Sequence, residues 1–300
     1  MTDTTTATTT IQQGRRVDHL PAVSIGLPVY NGGKYLREAL DSLLVQTFTD
    51  FELIVSDNAS TDETQGICEE YARLDRRIRY VRQPKWISAF DNFQYCLNEG
   101  QGKYFMWAAV DDYHPSNFIE QLVSCLEKNP KAVLASGKIQ VIKGDLSVST
   151  AADIAVPFST EGVNVFTRLL ITSQLQCFHI YGLWKADAIK AIPRIYCNWW
   201  ADLAILMSGS VLGEFICCRD TAFGHREIVK TNLERAKYQD GCVGHSRIRS
   251  LLNLLRVTFL SVKKTGGGLL ATYAVSLVLV KQVRELPQFI KNRILFYKKS

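Results

Sequence analysis

FMWAAVDDYHP, residues 105–115, is the stretch from which the fold is read. The run from Tyr104 to Val110 is apolar throughout and suits a fully buried strand. It ends on two adjacent carboxylates, Asp111 and Asp112, followed by His114 and Pro115. Like charges at the end of a buried strand repel each other and are poorly solvated, so something has to offset them. A divalent cation does so, because hard oxygen ligands suit Mg2+ or Mn2+. Capping of a helix that begins near Ser116 is the competing reading of the same two acids.

Upstream, strand and helix patterns alternate. Residues 23–27 (VSIGL) read as a strand closed by Pro28, and Leu36, Leu40, Leu43 and Leu44 then recur at helical spacing. Residues 51–56 (FELIVS) form a second strand ending on Asp57. Ser60 or Asp62 is placed to cap the helix that runs through Tyr71. Residues 78–82 make a third strand, Ser88 caps a helix towards Leu97, and the quoted stretch is the fourth strand. Downstream, a helix over 117–129 and a strand over 132–136 continue the alternation. This pattern predicts an α/β fold, a mostly parallel sheet with helices on both faces. Ligands of such sheets sit outside the carboxyl ends of the strands, where Pro28–Asn31, Asp57 and Asp111–Asp112 all fall. The first turn lacks GxGxxG and GxxxxGK[ST], which argues against dinucleotide dehydrogenases and P-loop enzymes.

PVYNGGKYLREALDSLLVQTFTDFELIVSDNASTDET and the later WISAFDNFQYCLNEGQGKYFMWAAVDDYHP resemble the family 2 glycosyltransferases, whose fold is GT-A. The resemblance covers roughly residues 22–226. It implies that Pro28, Val29, Tyr30 and Asn31 lie against the nucleotide base and ribose. It implies that Asp57 accepts from the N3–H of uracil or thymine, a hydrogen that cytosine lacks. Asp112 matches the metal ligand, and Asp111 the partner of the ribose or of the groups around the cation. Relatives often carry a further Asp at the position of Ala109. Asp202 matches the catalytic base, although the acidic companion expected at position 201 is Ala here; an N-cap of the helix that follows is the competing role. Arg226 matches an arginine over the diphosphate, with the histidine of that motif out of register. The resemblance therefore implies an inverting, cation-dependent (Mn2+ or Mg2+) glycosyltransferase using a UDP- or dTDP-sugar. Its acceptor would be a saccharide or lipid-linked saccharide in cell-surface polysaccharide or glycolipid assembly. A nucleotidyltransferase of the same sheet architecture and a catalytically silent nucleotide-sugar-binding scaffold remain the alternatives.

Phe178, Tyr181, Trp184, Trp199 and Trp200 concentrate aromatic rings between 178 and 200. They suit either sugar stacking or a packed core. The net charge of +6 is unevenly spread, since residues 245–300 carry eleven Lys or Arg against the single Glu285. Phe, Leu and Val interleave with those charges. A basic amphipathic extension over 227–300, seated on an anionic membrane, is therefore expected rather than a nucleic-acid partner; a homodimer contact is the alternative. Leu269 to Val280 would span only ~18 Å as a helix, too short to cross a bilayer. The Thr-rich residues 1–20 read as a disordered tail without a leader peptide, ahead of a catalytic domain over 21–226. The eight cysteines show no CxxC spacing and are expected as reduced thiols. The protein is accordingly expected in the cytoplasm, peripheral on the cytoplasmic face of the membrane.

Overall fold

The computed structural model describes residues 19–142, 152–153, 158–175, 177–194 and 201–226, with 255–256, 258–260, 262–264 and 267–279 in the C-terminal part. The expected N-terminal tail, Trp199, Trp200 and most of the basic block lie wholly or largely outside the described residues.

The expected alternation is present. Strands β1 (Val23–Val29), β2 (Phe51–Asp57), β3 (Ile78–Arg82) and β4 (Tyr104–Trp107) alternate with helices α1 (Gly33–Leu44), α2 (Thr64–Leu74) and α3 (Ala89–Glu99). Then come α4 (Phe118–Lys128), β5 (Ala132–Ile142), β6 (Ala152–Asp153), α5 (Val165–Gln174), a 3-10 turn (Cys177–Tyr181), β7 (Leu183–Lys185), α6 (Ala186–Ala191), α7 (Ala201–Leu212) and β8 (Glu214–Arg226). The sheet order is β3-β2-β1-β4-β7-β5-β6, with β8 on the other side of β5.

The first four strands are parallel, as the spacing predicts. The centre of the sheet departs from it. The three-residue β7 enters antiparallel between β4 and β5, so Trp184 pairs with both Phe105 and Leu134. Strand β5 is also longer than expected, because β8 runs parallel beside its whole length with two register shifts.

Side-chain alternation on β4 divides the core. Tyr104 and Met106 pack into a cluster with Leu36, Leu40 and Leu43 of α1 and Phe118, Ile119 and Leu122 of α4. Phe105 and Trp107 face the other cluster, with Leu97 of α3, Leu169 of α5 and Leu203 to Met207 of α7. Helix α7 is buried from Leu203 to Ser210, as a helix apolar on all sides should be. Described residues of 267–279 are helical, and Ala271, Ala274 and Val278 are fully buried in this second cluster together with Val262. Part of the apolar character of the C-terminal region is thus spent on the protein's own core.

Cys125 of α4 and Cys218 of β8 form a disulfide, which corrects the expectation of eight reduced thiols. The cause is the packing of α4 on β8, which sets their Cα atoms 6.5 Å apart, within bridging range. Cys68, Cys96, Cys177 and Cys217 take no part in it. Cysteine usage therefore no longer argues for a reducing compartment. Among the described residues, no helix is long and apolar enough to cross a membrane.

Candidate active site

The carboxyl ends of β1, β2 and β4 line one edge of the sheet, and the expected residues sit there unequally. Strand β1 runs two residues further than expected, so Pro28 and Val29 are buried strand residues paired with Ser56 and Asp57. Proline is tolerated because the β1–β4 ladder ends at Gly26 and Trp107, leaving no ladder bond to lose on that side. Only Tyr30, 51% exposed, and the exposed Asn31 offer side chains to a ligand. Asn31 adopts a left-handed φ of 49°, and its Oδ1 accepts from Thr61 N at 2.8 Å. That brings the turn after β1 against the turn after β2.

The start of α1 is occupied by the protein itself. Gly32 N donates to Thr64 Oγ1 and Gly33 N to Asp62 Oδ2. Burial works against the Asp62 carboxylate, but the donors at Thr64 and Gly33 outweigh it and hold its pKa below the ordinary value. Asp62 thus caps α1 while also accepting from Thr64 N in α2. This turn is not a free phosphate cradle of the kind that nucleotide-binding loops provide.

Asp57 lies at the end of β2 as expected, but it has no exposed surface. Its Oδ1 accepts from Ser60 N at 2.8 Å, and its Oδ2 from Tyr80 Oη at 3.0 Å and Arg82 Nη1 at 2.5 Å. A buried carboxylate needs such partners. Burial works against the Arg82 charge, and the Asp57 carboxylate more than offsets it, so the guanidinium pKa is raised. The polar edge at these strand ends is an Asp57–Arg82 pair, with the arginine side chain the more exposed, 34% against 0%.

The two acids after β4 do not cap α4, whose N-cap is Asn117. Tyr113 and Gly224 form a reciprocal backbone bridge, 2.9 Å in each direction. Glycine suits the close approach there, since a Cβ at Gly224 would lie 2.6 Å from Ile142 Cδ1 and 3.2 Å from the Tyr113 carbonyl oxygen. The bridge sets the end of β8 across Asp111 and Asp112. His225 Nδ1 lies 3.1 Å from Asp112 Oδ1, and Arg226 N donates to the same oxygen. Arg226 Nε donates to the Asp111 carbonyl, and Nη2 reaches Glu38 Oε1 at 2.7 Å. Burial raises the Asp112 carboxyl to about 6, against the pull of the His225 contact and with the push of the Asp111 charge.

His225 is the site residue that sequence reasoning undervalued. Phe178, from the 3-10 turn, lies against its ring with centroids 4.2 Å apart. The same turn packs on α7, the helix that carries Asp202.

The sequence profile of the family described as Glycosyl transferase family 2 matches residues 24–174, half of the chain. The chain belongs to glycosyl transferase family 2. Glycosyltransferase GlyA of Streptococcus pneumoniae is 28% identical over 166 residues, covering 54% of this chain and 23% of its own. The chain thus spans well under two thirds of such curated relatives. Among solved structures, S. aureus TarS 1-349 in complex with UDP-GlcNAc superposes with a TM-score of 0.65 at 16% identity, over 88% of this chain and 72% of that one. The mannosyltransferase PcManGT of Pyrobaculum calidifontis, in complex with GDP-Man and Mn2+, gives 0.54 at 15% identity, over 90% and 76%. At these identities the likeness establishes the GT-A fold.

Asp202 lies inside α7, in its first turn, rather than before the helix. This corrects the N-cap alternative, because the helix begins at Ala201. Burial raises its carboxyl to about 6, and no described side chain bonds to it. As for a cation, Asp112 and His225 bring a carboxylate oxygen and an imidazole nitrogen together, a donor pair that suits Mn2+ better than Mg2+. Among the described residues no group of three or more His, Cys, Asp or Glu could hold an ion. The residues present fit an ion completed by diphosphate oxygens and water.

Proposed function

We propose that this member of family 2 is an inverting glycosyltransferase. It moves a sugar from a UDP- or dTDP-sugar to a hydroxyl of a saccharide or lipid-linked saccharide, at an anionic membrane surface. The observation that carries the reading is the meeting of Asp112, His225 and Arg226 at the strand ends, with His225 Nδ1 3.1 Å from Asp112 Oδ1 across 113 residues of chain. An acid, an imidazole and a guanidinium converging on one edge suit a diphosphate and its counter-cation.

Asp112 and His225 would hold the divalent cation, which when bound neutralises charge on the leaving diphosphate. Arg226, already fixed to the Asp111 carbonyl, supplies a further positive group for the same oxygens. The Asp57–Arg82 pair places an acceptor beside a donor, the complement of the uracil or thymine imide edge, whose N3–H is flanked by carbonyls. Since Asp57 is covered, Arg82 is the group that a base meets first. Tyr30 and Asn31 are the exposed groups of the neighbouring turn.

Asp202 acts as the general base. The acceptor oxygen bonds to the anomeric carbon, the bond from that carbon to the diphosphate oxygen breaks, and the acceptor's proton passes to the Asp202 carboxylate. A carboxyl of pKa about 6 is ionised at neutral pH yet more basic than an exposed aspartate.

Calorimetry with UDP, dTDP, GDP and ADP in the presence of Mn2+ tests the donor reading. The uridine and thymidine diphosphates should bind at least tenfold more tightly than the purine forms. Equal affinities, or a purine preference, would remove it. Hydrolysis of the sugar nucleotide by the same preparation separates an enzyme from a silent binding protein.

A further inference from the structure

The two parts of the C-terminal region present opposite faces of different character. Val262, Ala271, Ala274 and Val278 are buried in the core, whereas Leu260 is 50%, Leu269 76% and Leu279 39% exposed. From 267 to 279 there is no charged residue. The exposed hydroxyls of that helix are also withdrawn from solvent demand. Thr272 Oγ1 donates to the Gly268 carbonyl and Ser276 Oγ to the Thr272 carbonyl, each at 3.0 Å. Helix α5 continues the surface: Phe166 meets the Tyr273 ring at 5.5 Å, and Phe166 and Leu170 are 41% and 45% exposed. Single exposed leucines mean nothing, but an uncharged helix face with its Thr272 and Ser276 hydroxyls bonded within the helix, beside a second apolar helix, is unusual for a surface in water.

Charge decides what covers it. Lys263 and Lys264 are exposed just before this helix, and Arg256 is exposed further upstream. Lys264 also lines a cavity of about 280 Å³ with Lys190 and Arg194. Arg194 is ion-paired with Asp91 and Lys190 donates to the Gly100 carbonyl, whereas Lys264 makes no ion pair among the described residues. A second copy of the chain would bring the same cations to the contact, where they repel. Lipid phosphates bring the opposite charge. The uncharged helix is ~20 Å long, and no described helix can cross a bilayer, so it lies in the interface plane, as basic amphipathic helices do.

Resting on the membrane reading proposed above, we infer that the exposed face of 267–279, continued by Phe166 and Leu170 of α5, seats the protein on an anionic bilayer. Leu269 and Leu279 enter the acyl boundary, while Lys263 and Lys264 engage lipid phosphates.

The test is co-sedimentation of the full chain at low salt with phosphatidylcholine vesicles, and with vesicles containing a third phosphatidylglycerol. The wild type should partition strongly only to the anionic vesicles. Lys263→Gln/Lys264→Gln should weaken that partition about 25-fold, at roughly fivefold for each charge lost near the surface. Leu269→Glu/Leu279→Glu should weaken it at least as much. The substituted side chains are exposed, so melting temperatures should match the wild type; the lysine pair decides the matter if the leucine pair does not fold. A wild type that ignores anionic vesicles removes the membrane reading itself. A wild type that binds while both folded variants bind equally well removes only this assignment. Conversion of a dimer to a monomer by the leucine pair, with vesicle binding unchanged, would show that a second copy covers the face and would overturn it as well.

Discussion

Replacing Asp202 by Asn separates chemistry from architecture. The carboxyl titrates at about 6 in the folded protein, against ~3.9 in an unfolded chain. A pKa raised on folding contributes stability that is present below the unfolded value and is lost as pH rises through the folded one. The full shift corresponds to ~3 kcal/mol at neutral pH. Asp202 is only partly buried, so solvent screening leaves ~1–2 kcal/mol of it. Its negative charge in the first turn of α7 works the other way, by ~0.3–1 kcal/mol. The desolvation cost wins, and Asp202→Asn should stabilise the protein by ~1 kcal/mol at pH 8, a rise of about 2–4 °C in melting temperature. The gain should shrink as pH falls through 6 and disappear near 4, where the wild-type carboxyl is protonated too. Transfer should fall by ~10^2 to 10^4-fold, while affinity for the nucleoside diphosphate stays. The wild-type rate should decline tenfold per pH unit below about 6. Melting curves between pH 4 and 8 and initial rates on one preparation provide the assay. Near wild-type turnover in the Asn variant would refute the base assignment, and a lower melting temperature at pH 8 would refute the burial argument.

Two further outcomes are expected. His225→Ala should reduce the strengthening of UDP binding by Mn2+ about tenfold and leave metal-free binding nearly unchanged; calorimetry with and without EDTA reads both. His114 is fully buried against Phe118 and Phe223, with neither ring nitrogen bonded among the described residues, so His114→Phe should stabilise the domain by ~1–3 kcal/mol in urea unfolding, and a loss of stability would mean that the imidazole has a partner.

The first half of the sheet was legible because its signals are local. The apolar runs at 23–27, 51–56 and 78–82 and the Ser88 cap each depend on neighbours in sequence. Ser88 Oγ accepts from Asp91 N as the pattern implies. The second half depends on distant pairing. Three residues of β7 are too few to show a period of two, and their antiparallel entry leaves no local trace. The contact of His225 with Asp112 rests on the Tyr113–Gly224 bridge, a long-range pairing with no local signal in the sequence. Pro28 looked like a strand end because proline lacks an N–H, yet β4 stops short of it and the strand continues. The covering of Asp57 by Tyr80 and Arg82 follows from the pairing of β2 with β3, which places Arg82 opposite Asp57.

The central position of β7 also bears on how the chain assembles. The strands that end at Asp57 and lead into Asp111 come from the first part of the chain, yet β4 has no neighbour on its far side until residues 183–185 arrive. Without β7, the first four strands present an open, apolar edge at Phe105. Such an edge invites pairing with another chain, and closing it over so long a separation is slow. Trp184, fully buried and paired with Phe105 on one flank and Leu134 on the other, closes that junction. The pairing that closes β4 thus joins residues almost eighty positions apart, Phe105 with Trp184.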